Sequence, residues 1–186
     1  MREAGGRGAE TRARIIEAAG RLFRERGIDA VGVDAVMREA GLTHGGFYTH
    51  FPSKEALVAE AAAAALARSA ARWEAIARER PEDGHARIVD AYLDPAHVAA
   101  TGRGCLLAAL GPDVARRPAA RSGVTAAIRA MLDTLARCVP GRRRQRAAAT
   151  LCTLVGAVVL ARISDDPDLS AELLAAARAA TSPEAV

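Results

Sequence analysis

Asparagine is absent from this 186-residue chain, lysine occurs once, at Lys54, and aromatic residues make up only 3% of it. Without asparagine no Cys–His–Asn hydrolytic arrangement can form. Cys105, Cys138 and Cys152 are too few and too scattered for a disulfide framework or a CxxC metal site. No metal ion or cofactor is therefore expected. Alternating β-branched runs are nearly missing, which argues against sheet. The opening "MREAGGRGAE" has no apolar segment of the secretory kind. The longest apolar run, residues 147–161, falls short of the roughly 20 residues that span a bilayer. These absences lead us to expect a soluble protein of the reducing cytoplasm with no membrane partner.

What is present points to helix. About half the residues are hydrophobic and alanine is prominent. The net charge of +4 and pI near 9.5 are compatible with a nucleic-acid partner without establishing one. Residues 1–10 read as an unstructured arm, with Arg2, Arg7 and Arg12 as possible backbone or minor-groove contacts. Thr11 reads as the cap of a first helix to Arg26, closed by Gly27. A short helix over 33–40 follows, with Gly32 as its cap, and Gly41 ends it. Thr43 then opens a third helix, 44–51, before Pro52 breaks the chain. Two short helices around a glycine-containing turn are the grammar of a helix-turn-helix. Ser53 caps a long helix towards Arg80, and prolines divide the rest into helices near 82–94, 103–114, 119–138, 142–163 and 168–180. The fold class is all-α: a three-helix helix-turn-helix domain joined by a long helix to a C-terminal helical ligand-binding and dimerisation domain. The boundary is placed between residues 1–52 and 53–186.

The stretch "GLTHGGFYTHFPSKEAL", preceded by "RIIEAAGRLFRERG" and "VDAVMREA", resembles the DNA-binding domain of the TetR family of transcriptional regulators. The resemblance covers residues 11–58, and "GRGCLLAAL" is similar to a segment of one broad branch of that family. A recognition helix enters the major groove with its N-terminal residues at the base edges. Here those are Thr43, His44, Gly45 and Gly46. His44 is the leading base reader, and the paired glycines let backbone approach DNA. Thr49 is assigned to backbone or a thymine methyl. By resemblance Tyr48, His50 and Lys54 hold phosphates, while Phe47 and Phe51 pack inward. Lys54 also stands at a helix N-terminus, where backbone N–H groups favour an anion. One departure is Gly32, where the family usually has Ser or Thr.

A single such head makes few contacts, so binding as a homodimer to a palindromic operator is expected. The apolar helix over 142–163 suits either its own subunit's core or a dimer face at Leu151, Leu154, Val155, Val158 and Val159. The resemblance, in which the last two long helices form a four-helix interface, implies dimerisation together with 168–180. The basic run "GRRRQR" at 141–146 reads as a solvated face. The resemblance implies a small-molecule effector pocket among the helices between 55 and 138. Trp73, Ile76, Tyr92, His97, Cys105 and Leu106 are its assigned lining. Cys105 after "GRG" also suits a thiol-based sensor of electrophiles or oxidants near a helix N-terminus. Two other classes stand beside the regulator. One is a helical enzyme using Cys105 with His97 or His85, although no catalytic residue is assigned and no enzyme is expected. The other is a helical dimer whose head binds protein.

Overall fold

The helix-forming composition carries through almost the whole backbone. The computed structural model of the chain describes residues 3–139 and 143–182, and its side chains from residue 7. Among these residues there is no strand. The α-helices are α1 (Glu3–Arg26), α2 (Val33–Glu39), α3 (Phe47–His50), α4 (Lys54–Glu79), α5 (Gly84–Tyr92), α6 (Pro95–Ala99), α7 (Leu106–Ala115), α8 (Pro118–Cys138), α9 (Arg143–Ile163) and α10 (Pro167–Ala180).

The expected arm is not an arm over residues 3–10. Those residues extend α1, and Thr11 lies within the helix instead of capping it. Extending an existing helix avoids the cost of nucleation and adds one hydrogen bond per residue, and here that outweighs the penalties of Gly5, Gly6 and Gly8. Arg2 lies outside the described residues. Arg12 is already engaged: its guanidinium meets Glu60 at 2.5 Å and sits 4.6 Å from the Phe51 ring centroid. It ties α1 to α4.

α1 buries Ile15, Ala19, Leu22 and Phe23 and stops at Gly27, whose φ of 82° needs no Cβ. α2 follows an extended Gly32 cap and ends in a Schellman motif. Gly41, at φ 69°, donates to Arg38 O at 3.0 Å, and the Leu42 N–H reaches Met37 O at 2.9 Å. That turn aims the next segment. Expected as one helix, 44–51 is a 3-10 turn over His44–Gly46 followed by the short α3, with Phe51 already extended. The glycines explain the break, because each weakens a regular helix by about 1 kcal/mol.

α4 runs about 39 Å at 1.5 Å per residue. It packs against α1 at one end and along α8 over much of its length. Gly123 allows that approach: a Cβ there would lie 2.6 Å from the Ala63 Cβ. The buried apolar side chains of the head, α4 and the later helices form one continuous cluster.

Downstream, three expectations shift. An additional short helix, α6, precedes a turn over residues 100–104, where Gly104 N–H bonds Ala100 O at 2.6 Å. α7 therefore starts at Leu106 instead of residue 103. Pro112 lies inside α7, as it does in the expected span 103–114. Burying Leu106, Leu110 and Val114 on one stripe, each worth about 1.5–3 kcal/mol, outweighs the roughly 3 kcal/mol a mid-helix proline costs. α9, counted by helix instead of by its uninterrupted apolar run, is long and apolar enough to cross a membrane by length and composition. Here it packs against α8 and α10, and buries Ala147, Leu151, Leu154, Ala157 and Val158, as a core helix does.

Candidate nucleic-acid interface and ligand cavity

The head carries its hydrophobic and polar residues on opposite sides. Phe47 and Phe51 are fully buried and stacked, with centroids 5.8 Å apart. They point inward, as expected, into the apolar cluster that α1 and α4 share. Thr43, His44, Gly45, Tyr48 and Thr49 are exposed, while Gly46, His50 and Lys54 are half-buried. Tyr48 is 65% exposed, an unusual position for an aromatic side chain unless something covers it. It packs edge-on to Phe47 at 5.2 Å and to His44 at 6.3 Å. None of the eight assigned residues is therefore buried.

Two capping details sharpen the assignments. The Thr43 hydroxyl makes no capping hydrogen bond, so it stays available to a groove. Ser53 accepts the Ala56 N–H at 3.1 Å and opens α4, placing Lys54 in the first turn. One partner escaped sequence reading. His44 Nδ1 bonds the Asp34 carboxylate, which reaches across the turn from α2. With Nδ1 committed, only Nε2 faces outward. The sequence separation of ten residues hid this pair, since only the Schellman turn brings them together.

The second site is a cavity of about 60 Å³. α4 supplies Ser69, Arg72, Trp73 and Ile76, and α5 supplies Tyr92. His97 of α6, Arg103 and Gly104 of the following turn and Cys105, the N-cap of α7, also line it. Five of the six assigned effector residues therefore meet. Leu106 does not line the cavity and is core, 2% exposed.

Trp73 and Tyr92 pack edge-on at 5.7 Å, and Tyr92 and His97 lie 4.8 Å apart. His97 Nε2 accepts the Cys105 N–H at 3.1 Å, so its Nδ1–H donates to Tyr92 O at 2.5 Å. Burial lowers the His97 pKa, in keeping with the unprotonated Nε2 that accepting the Cys105 N–H requires. Both nitrogens thus serve backbone groups, which leaves no lone pair to activate the Cys105 thiol. His85 is elsewhere, buried against Thr150 at 3.3 Å, with its pKa also lowered by burial. Neither histidine forms the cysteine–histidine pair that the enzyme alternative requires.

The Tyr92 hydroxyl is buried beside Cys105 yet meets no partner at hydrogen-bond geometry. Burial, then the neighbouring Cys105, pushes its pKa well above the usual phenol value. Arg162 of α9 also went unread. Its Nε and Nη2 cap the carbonyls of Val98 and His97 at 3.0 and 3.2 Å, and its Nη1 is buried without a partner. Gly104 admits this packing, since a Cβ would stand 2.9 Å from Ala100 O and strike the Arg162 guanidinium.

Head and cavity are mechanically joined. Arg24 of α1 donates from Nε to Gly102 O at 2.8 Å. Arg117, at the start of α8, pairs with Asp29 of the head and approaches Glu55 at 3.6 Å.

The dimer assignment divides. Leu151, Leu154 and Val158 lie in the subunit's own core, because α9 is sandwiched between α8 and α10. Val155 and Val159 are half-buried, while Leu160, Ile163 and Leu169 are 47%, 74% and 44% exposed. Within the basic run, Arg144 pairs with Asp133 at 2.5 Å, and Gly141 and Arg142 lie outside the described residues.

Comparison with known proteins agrees with this geometry. Residues 15–61 match the model of the bacterial regulatory proteins of the tetR family. The HTH-type transcriptional regulator TtgR of Pseudomonas putida is 47% identical over 49 residues, 26% of this chain and 23% of that protein. The uncharacterized HTH-type regulator YdgC of Bacillus subtilis is 41% identical over 54 residues, 29% of this chain and 28% of that protein. These matches thus span about a quarter of the curated relatives. The fold extends further. The reduced form of NemR from E. coli superposes with a TM-score of 0.77 at 21% identity, over 91% of this chain and 97% of NemR. A TetR-family regulator from Cytophaga hutchinsonii gives 0.77 at 17% identity, over 94% of each chain. Residues 15–61 thus carry the helix-turn-helix domain of the tetR family of bacterial regulatory proteins, and the remaining helices share the fold of solved regulators of that family.

Proposed function

We propose that this chain is a ligand-responsive, DNA-binding repressor of the cytoplasm. It binds a palindromic operator as a homodimer and lets go when a small molecule occupies the Tyr92–Cys105 cavity. The observation that carries this reading is the span of α4. Its first residue, Lys54, belongs to the exposed head, and Ser69, Trp73 and Ile76 wall the cavity about 22 to 33 Å along the same helix. A ligand that displaces the 100–105 turn also loads Arg24, through Gly102 O, and hence α1. The effector acts by preferring the arrangement in which two heads no longer match their half-sites. The remaining apolar face at Val155, Val159, Leu160 and Ile163 is the surface on which a second subunit would pack.

Selection of duplexes from a random pool tests the central claim. A palindrome should emerge, bound with strong salt dependence. Absence of any sequence-selective binding at low salt sinks the reading.

A second reading rests on the same cavity. At about 60 Å³ it is far below the roughly 300 Å³ at which ligand sites usually begin, so a bulky effector must open it. A small electrophile need not: the Cys105 sulfur adds to an activated alkene, an S–C bond replaces the C=C π bond, and the thiol proton passes to carbon. The likeness to NemR, solved in a form called reduced, supports attention to this thiol. Cys105→Ser should abolish release by an electrophile while leaving operator affinity unchanged. Release that survives the substitution removes the thiol from the mechanism.

A further inference from the structure

A second cavity, about 160 Å³, opens where α1, α4 and the 100–105 turn meet. Its ionisable lining is Arg24, Arg68, Arg72 and Arg103, with Ser69 and Gly104 beside them and no carboxylate. Arg68, Arg72 and Arg103 are exposed and make no hydrogen bond or ion pair with any described residue. Arg24 alone is held, by Gly102 O. These charges act on one another. Burial and then the positive charge of Arg68 lower the Arg24 pKa, and Arg72 acts in the same sense on His97. The carboxylate that does act on Arg24, Glu25, is already paired with Arg21 at 3.0 Å. Four guanidiniums converge here, three of them unpaired, and like charges so gathered attract a counter-ion.

The cavity continues into a larger cleft, about 550 Å³, that shares Arg24, Arg68 and Arg103 and runs along α1 to Gly41. There the charge is mixed, since Arg21 is paired with Glu39 and Glu17 also faces the cleft. The anionic demand is thus confined to one end of an elongated space.

We propose that the four-arginine cavity binds the oxyanion group of a small, multiply charged ligand, a phosphate ester or a polycarboxylate, whose remainder lies in the adjoining cleft. Planar guanidiniums grip carboxylate and phosphate oxygens two at a time, and four of them suit a group bearing more than one charge. Arg68 lies about 21 Å along α4 from Lys54, so the cavity stands off the reading surface, and its concavity suits a small molecule over a duplex backbone. The bound anion joins α1, α4 and the turn leading to Cys105. This site adjoins the cavity of the proposed effector, with Ser69, Arg72, Arg103 and Gly104 bordering both, and Arg24 and Arg68 belong to it and not to that cavity.

Calorimetric titration of the full chain without DNA tests the site, using inorganic pyrophosphate and citrate in separate experiments at constant ionic strength. One or both should bind saturably, one per chain, with a Kd below about 1 mM. The tighter of the two identifies phosphate or carboxylate as the recognised group. Combined Arg68→Gln and Arg103→Gln should weaken binding about 10-fold or more, as expected for lost charge-assisted hydrogen bonds. Arg129→Gln, on the exposed face of α8, should leave it unchanged. Arg68 and Arg103 are exposed, so the variant should keep the parent's circular dichroism. Arg72→Gln provides an independent substitution if it does not. Absence of saturable heat with both anions overturns the proposal. So does equal weakening by Arg129→Gln, or a loss confined to duplex DNA affinity. Failure of operator selection would leave these titrations unaffected.

Discussion

The reading surface draws Thr43, His44, Gly45, Gly46, Tyr48, Thr49, His50 and Lys54 from a single run of sequence, whereas the Cys105 cavity draws on α4, α5, α6 and the start of α7, with Arg162 of α9 behind it. The first is exposed and held from beneath by apolar residues. The second is buried and leaves polar atoms of Tyr92 and Arg162 without partners. A surface awaiting DNA keeps its polar groups in water until binding. A buried site must instead carry its unsatisfied groups inside the fold, where each costs about 1–3 kcal/mol. The contrast teaches that the head can be tuned residue by residue, while the cavity can be altered only together with its supports.

The largest expected effect would break the contrast. Phe47→Ala removes a fully buried ring under the head and should cost about 3–5 kcal/mol. Because head and body share one apolar cluster, urea unfolding followed by Trp73 fluorescence should shift with the far-ultraviolet signal. A Trp73 transition that stays put would show that the head unfolds alone. Next, Lys54→Ala should weaken specific and random duplexes alike, about 10-fold at low salt, and reduce the salt slope by about 1. A loss restricted to the selected operator would move Lys54 from backbone to base.

His44→Ala should sacrifice about 1–3 kcal/mol of discrimination at one base pair. Asp34→Ala should produce a smaller loss at that same base pair, because the ring remains but no longer has Nδ1 anchored. Loss at a different base pair would refute the anchoring. The smallest effect concerns the body. Burial lowers the pKa values of His85 and His97, so as pH falls the unfolded chain takes up protons first. Stability to urea should be level above about pH 6.5 and decline below it. In His85→Gln the decline should be shallower. An unchanged slope would assign the effect to His97 or to carboxylates.

Sequence made the head legible because local rules governed it. Glycine at positive φ, Ser53 as a cap and Phe47 and Phe51 at helical spacing each act over a few residues. The Asp34–His44 pair escaped because it depends on how sharply the Gly41 turn folds. In the body, helix number was nearly readable from the prolines, yet the short α6, capped by Asp94 and opened by Pro95, was missed. Trp73, Ile76, Tyr92, His97 and Cys105 could be named one by one as rare residue types. Their meeting with Arg162, whose bonded partners lie 64 and 65 positions away, and the exclusion of Leu106 were decided by packing between distant segments. The dimer face suffered likewise: an all-round apolar helix does not announce which of its sides its own subunit takes.

Lys54 holds one further consequence. As the chain's sole side-chain amine, it gives acylating reagents a single address outside the α-amine, and that address lies on the head. One added acyl group per chain would report directly on occupancy. Operator should shield Lys54 from labelling, and effector should restore its reactivity, so that a mass spectrum reads the switch at the atom assigned to close it.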